Sequence, residues 1–231
     1  MKIIIGDIPE IEEKAALQIR GILEAKPDAV IALAAGKTMT GLYKRLGDMC
    51  AAGEISFRKA RLLAVAEFVG KREKSCRRFI EDSLLRHTDA LPENSFWPDP
   101  ERPEGYEELI ASLGGLDLAV LGIGQDTHIG YNEPATPFDS ITHVQKLTNR
   151  TKHQLSERGY SEEEMPGEAV TMGLKTLVGA RQIIVLAEGG EKSAAVFQMV
   201  YSKTITYIPA SFLQIPLEVT AYFDTAAASE L

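Results

Sequence analysis

Between residues 122 and 134 the chain reads Gly-Ile-Gly-Gln-Asp-Thr-His-Ile-Gly-Tyr-Asn-Glu-Pro, with Asp126, His128 and Glu133 inside eight residues. An imidazole titrates near neutral pH and can move a proton in either direction. A carboxylate on its other ring nitrogen fixes the tautomer and raises the basicity of the free nitrogen. Asp126 or Glu133 can take that part. A lone loop histidine would carry no message. This packed group, behind two glycines at the end of an apolar run, predicts a proton-transfer site. A second stretch, Ala34-Ala35-Gly36-Lys37-Thr38-Met39-Thr40, joins an apolar run to a helical pattern. Amides at a helix start point outward and, with the helix dipole and the Thr38 and Thr40 hydroxyls, form an anion site. It lacks the GxxxxGK[ST] spacing of a nucleotide-binding loop. A plain glycine turn with a threonine cap accounts for the same residues, so this stretch does not decide by itself.

These turns need a scaffold. Short runs rich in Val, Ile, Leu and Ala lie at 3–5, 29–34, 62–65, 118–121, 183–187 and 219–223. None alternates in polarity, as befits strands buried on both faces of a parallel sheet. Helical patterns at 11–25, 40–52, 75–86, 106–113 and 192–201 fall between them. Strand followed by helix, repeated, predicts an α/β fold: a doubly wound, mostly parallel open sheet with helices on both faces. Ligands of such sheets bind at the carboxyl ends of the strands, where both turns above are expected.

Residues 1–231 read as a single domain, with no linker, repeat or low-complexity tract. Residues 148–168 are polar and weakly periodic, and read either as a solvated loop or as a lid loop over a site. A net charge of −8 argues against extended contact with nucleic acid, though not against one phosphorylated small molecule. Cys50 and Cys76 are the only cysteines and lack CxxC spacing, which predicts free thiols and no structural zinc. The N-terminus turns acidic after a short apolar run, unlike a signal peptide, and no apolar run reaches about 18 residues. A cytoplasmic protein without membrane contact is expected.

The pattern GxGxDxHIxxNEP resembles the signature of glucosamine-6-phosphate deaminases, within a wider group that includes 6-phosphogluconolactonases. The resemblance runs along nearly the whole chain. Ala35-Gly36-Lys37-Thr38 looks like the phosphate loop, and Glu67-Phe68-Val69-Gly70 like the stretch after the third strand. Ala169-Val170-Thr171-Met172-Gly173 and Gly189-Gly190-Glu191-Lys192 match later blocks. GGLDLAVLGIG and IPASFLQ are closest in phrasing to the galactosamine-6-phosphate isomerase branch. Lactonases of the group share the Asp-x-His core but typically continue without the acid at Glu133, so Glu133 favours the amino-sugar branch.

The resemblance implies a chemistry. An amino-sugar 6-phosphate binds as the closed ring, and His128, held by Asp126 and Glu133, moves the ring-oxygen proton. A separate carboxylate shuttles a proton between C2 and C1, and ammonia leaves to give a ketose 6-phosphate. No metal and no organic cofactor is implied. The phosphate is expected on the 35–38 loop with Lys192 as its cation and Arg158 as a second, and the protein as a monomer or small homo-oligomer.

One departure touches the chemistry directly. Where the family carries the Asp that serves as C2 proton carrier, this chain has Ala66, which has no titratable group. Glu67 is the nearest acid, but strand neighbours point to opposite faces. In the loop, Ala35 stands where Ser or Thr is common and Met39 where Pro is common. Three functions follow: an isomerase or deaminase with an altered proton carrier, a non-catalytic sugar-phosphate sensor on the same fold, and a lactonase-type hydrolase, which Glu133 disfavours.

Overall fold

The computed structural model describes residues 1–70 and 74–231. Seven strands form the central sheet: β1 (Lys2–Gly6), β2 (Val30–Leu33), β3 (Arg61–Ala64), β5 (Ser95–Phe96), β6 (Leu118–Gly122), β9 (Gln182–Ala187) and β10 (Val219–Asp224). Their spatial order is β1-β10-β9-β6-β2-β3-β5, and every pairing is parallel. All six strands expected from the apolar runs are present. The two-residue β5 is an addition too short to leave a pattern.

The helices are α1 (Ile8–Ala25), α2 (Met39–Ala51), α3 (Cys76–Ser83), α4 (Pro103–Ser112), α5 (Asn149–Glu157), α6 (Leu174–Val178) and α7 (Ser193–Tyr201). Helix α1 starts where Asp7 accepts the Glu10 N–H and a proline occupies the first turn, both favourable at a helix N-terminus. Residues of β2 alternate between two cores. Val30 and Ala32 pack with α4 and α7, while Ile31 and Leu33 pack with α1 and α2. That two-sided burial is why the strand reads as an unbroken apolar run. Truncating an aliphatic side chain in either core should cost about 2–5 kcal/mol.

A second sheet holds three antiparallel strands in the order β4-β8-β7: β4 (Ala66–Phe68), β8 (Glu168–Thr171) and β7 (His143–Lys146). It has Ala66 opposite Thr171 and Glu67 opposite Val170. The 148–168 segment is not loop throughout, because α5 occupies its first half with Thr148 as cap. Its inward residues are Thr151, Gln154 and Leu155, spaced for one helix face but mostly polar. A helix walling a polar cavity shows little apolar periodicity, which hides it in the sequence. Among the described residues no helix is long and apolar enough to cross a membrane.

Neighbours β2 and β6 mark the point where the strand order reverses. From β2 the chain proceeds to β3 and β5 on one side; from β6 it proceeds to β9 and β10 on the other. The turns leaving these two strands open a crevice between them.

Candidate active site

Both turns singled out in the sequence line one cavity at this crevice. An inner chamber of about 70 Å³ is walled by the 34–39 loop, Ala66, Gly122–Gly124, His128, Arg158 and Lys192, among others. An outer chamber of about 880 Å³ shares Lys37, Arg158 and Lys192 and extends to Glu188 and Asp224.

The turn after β6 is shaped by a tight return of the backbone. Thr127 N–H donates to the Gly124 carbonyl at 2.9 Å, and Gly124 N–H to the His128 carbonyl at 2.9 Å. Thr127 adopts φ 69°, and its carbonyl accepts the Ala210 N–H at 2.9 Å. This folds the His128 ring back over Gly124. A methyl group on Gly124 would lie 2.4 Å from Cε1 and Nδ1 of that ring, so only glycine permits the close approach.

His128 Nδ1 stands 2.6 Å from Asp126 Oδ1, with the carboxylate side chain only 4% exposed. Neither atom makes a well-directed hydrogen bond, so the contact is mainly an electrostatic pairing. Burial alone would raise the Asp126 carboxyl; the adjacent imidazole outweighs it and holds the group well below the usual carboxylate range. Asp126 therefore stays ionised beside the imidazole. Glu133 is buried at 2% exposure, and its carboxylate accepts the Thr148 N–H and hydroxyl, both at 3.2 Å. It thereby ties the site to the start of α5. Ligand atoms of Asp126, His128 and Glu133 lie within 4.8 Å of one another, a spacing one cation can bridge. In the chain as it stands, Asp126 is matched to His128 and Glu133 to Thr148.

Across the chamber, the loop after β2 begins α2 by way of Met39 N–H to Gly36 carbonyl and Thr40 N–H to Lys37 carbonyl. Thr38 caps α2 without a side-chain hydrogen bond. Arg158 reaches over this loop, its Nη1 4.0 Å from where a Gly36 methyl would stand. Lys192 is 6% exposed and donates to the Ile123 carbonyl at 2.8 Å. Burial, then the Arg158 guanidinium, lowers the Lys192 ammonium to about 8. A solvated surface lysine is thus excluded: this cation is held in the cavity wall beside another cation, an arrangement that an anion would relieve.

Of the residues expected at the site, Ala35, Gly36, Lys37, Thr38, Arg158, Lys192 and His128 line the inner chamber, with Asp126 and Glu133 grouped at His128. Glu67 is not brought in. Its carboxylate accepts N–H groups from Phe68 at 2.7 Å, Cys76 at 3.0 Å and Arg77 at 2.8 Å, capping the start of α3. Burial still pushes its carboxyl upward against those three donors. Ala66, in contrast, faces the chamber.

Several wall residues escaped the sequence reading. Tyr131 stacks on His128, with centroids 6.1 Å apart and planes at 27°, and packs on Phe68. Cys76 lines both chambers. Gln154 and Thr151 come from α5. Glu188, just beyond β9, has a buried Oε1 without a partner. Tyr131 lies inside the motif without a titratable role at neutral pH to single it out, and the others require the tertiary fold to be seen.

Residues 8–221 match the family model described as glucosamine-6-phosphate isomerases/6-phosphogluconolactonase. The chain belongs to this family. A glucosamine-6-phosphate deaminase of Hahella chejuensis is 39% identical over 240 residues, covering 100% of this chain and 92% of that protein. One from Bacillus velezensis is 35% identical over 228 residues, covering 95% of each. A solved monomeric glucosamine-6-phosphate deaminase superposes with a TM-score of 0.96 at 32% identity, covering both chains fully. The 6-phosphogluconolactonase of Trypanosoma brucei shares the fold, with a TM-score of 0.80 at 22% identity. The family is one of sugar-phosphate enzymes, and its α/β architecture is the one expected from the apolar runs.

Proposed function

We propose that the cavity binds an amino-sugar 6-phosphate and that the chain is a deaminase/isomerase whose C2-to-C1 proton transfer is slow. The observation that carries this reading is the shared wall of the inner chamber: an anion loop with two adjacent cations on one side, and the Asp126–His128 pair on the other. A phosphate on the amides of residues 36–38, with Lys192 and Arg158, leaves the sugar ring directed toward His128. Charge-assisted contacts of this kind are roughly twice as strong as neutral ones. Deaminase relatives, one of them 39% identical, support the substrate class, and the choice between gluco and galacto configuration is part of the same proposal.

His128 Nε2 is the ring nitrogen left to the cavity, and it exchanges the proton of the ring oxygen. Asp126 stabilises the imidazolium, and Glu133 fixes the segment through Thr148. At the position of the expected C2 proton carrier the chamber presents the Ala66 methyl, and a general base typically contributes about 10²–10⁴ in rate. That methyl also favours a second reading, a sugar-phosphate sensor that binds without turnover. The test is ammonia release and ketose formation from glucosamine 6-phosphate and galactosamine 6-phosphate, with 6-phosphogluconolactone as control. Slow ammonia release from one amino sugar supports the reading, binding without release supports the sensor, and lactone hydrolysis alone contradicts both.

A further inference from the structure

Proton-transfer groups are unevenly distributed around the inner chamber. Among the described residues its wall holds one imidazole (His128), three cations (Lys37, Arg158 and Lys192), one thiol (Cys76), one phenol (Tyr131) and no carboxylate. Asp126 and Glu133 are at His128 itself, and Glu67 is held at the start of α3. Burial pushes the Cys76 thiol and the Tyr131 phenol well up, so both stay protonated at neutral pH. Lys192 donates to the Ile123 carbonyl and stands beside Arg158 as an anion partner, which leaves the imidazole as the group placed to accept and return a proton of the sugar ring.

Opening a cyclic hemiacetal requires only one such group, because O1 and O5 are both bonded to C1. His128 Nε2 takes the O1 proton as C1–O1 becomes a carbonyl. The C1–O5 bond breaks, its electron pair passes to O5, and O5 takes the proton from the imidazolium. Asp126 beside Nδ1 stabilises that cation. Rotation about C1–C2 presents the other carbonyl face, and O5 attacks it with the same proton traffic reversed. The product is the opposite anomer, with no net proton change and no co-reactant. Moving hydrogen from C2 to C1 instead requires a second base facing C2, and residue 66 presents only a methyl group.

We propose that the principal reaction of this chain is anomer interconversion of 2-amino-2-deoxyhexose 6-phosphates, with His128 opening and reclosing the ring many times for each C2 hydrogen that is removed. This rests on the reading of the cavity as an amino-sugar 6-phosphate site. The experiment is two-dimensional ¹³C exchange spectroscopy of [1-¹³C]glucosamine 6-phosphate in D₂O with the whole chain, beside calorimetric titration of the same compound. The expected result is α-to-β exchange about 10²-fold or more above the buffer rate, lost in His128→Gln, with deuterium entering C2 about 10²-fold or more slowly than the anomers exchange. Binding with exchange at the buffer rate overturns the anomer reaction and leaves the substrate class standing. Absence of binding overturns the substrate class itself. Deuterium entry at C2 as fast as anomer exchange overturns the claim that ring opening and closing is the principal reaction. The parent protein alone decides among these, and if His128→Gln fails to fold, Ala66→Asp checks the assignment by adding deuterium at C2.

Discussion

Ala66 and Glu67 are consecutive on β4 and serve opposite sides of it: the Ala66 methyl lines the chamber that holds His128, while the Glu67 carboxylate binds three backbone N–H groups at the start of α3. Strand geometry imposes this division, since successive side chains alternate faces. An acid one residue away in sequence is therefore no substitute for an acid at the site.

Glu67 should thus matter for stability rather than turnover. Glu67→Ala leaves those three N–H groups without their acceptor, and a loss of about 1–3 kcal/mol is expected in urea denaturation. Sugar-phosphate affinity, measured by titration on the folded variant, should stay within about twofold of the parent. Unchanged stability with abolished turnover would instead make Glu67 a proton carrier.

Gly124 and His128 are coupled by contact. In Gly124→Ala the new methyl group would meet the imidazole at 2.4 Å, so the ring must shift from its place beside Asp126 or the turn must open. A displacement near 1 Å can cost about 10²-fold in rate. The expected outcome is a large fall in turnover with nearly unchanged affinity for the substrate, read as a drop in kcat.

Lys192 should make sugar-phosphate binding depend on pH. Its ammonium is lowered to about 8, chiefly by burial and then by Arg158, so the free protein loses this charge as pH rises through that value. Affinity should fall over the same range, and Lys192→Met should weaken binding at neutral pH by about tenfold or more and flatten the profile. The sign for stability is opposite. Between about 8 and the unfolded value near 10.5 the unfolded chain binds more protons, so this group's cost is fully present below 8 and relieved above it. Lys192→Met should therefore not destabilise the fold at neutral pH.

Glu188 provides an independent check of cavity electrostatics. Burial, together with Glu12 and Asp224, raises its carboxyl to about 7. Between about 4.5 and 7 the native chain binds the extra proton, so stability falls as pH rises through that window. Glu188→Gln should raise Tm at pH 8 and leave it unchanged at pH 4. Equal effects at both pH values would indicate a packing change rather than a charge.

The sheet was legible because β2, β6, β9 and β10 are buried on both faces and leave unbroken apolar runs. The three-stranded sheet was not. Its strand β7 (His143–Lys146) contains one aliphatic residue, and β4 is three residues long. Helix α5 was concealed by the polarity of its inward face, where Thr151 and Gln154 meet the cavity. At the site, His128 and the Gly36 loop were readable because their backbone geometry demands particular residues in a short stretch. Glu188 was not, since its position beside Lys37 and Asp224 joins distant parts of the chain.

The central claim, that residue 66 limits turnover, is tested most directly by ammonia release from glucosamine 6-phosphate and galactosamine 6-phosphate with the parent and Ala66→Asp side by side. The account predicts slow release by the parent and a gain on the order of 10²-fold or more in the variant, because a titratable carboxyl then faces the chamber opposite His128. Fast release by the parent, unchanged or reduced in Ala66→Asp, would contradict it and show that another group in the cavity carries the C2 proton.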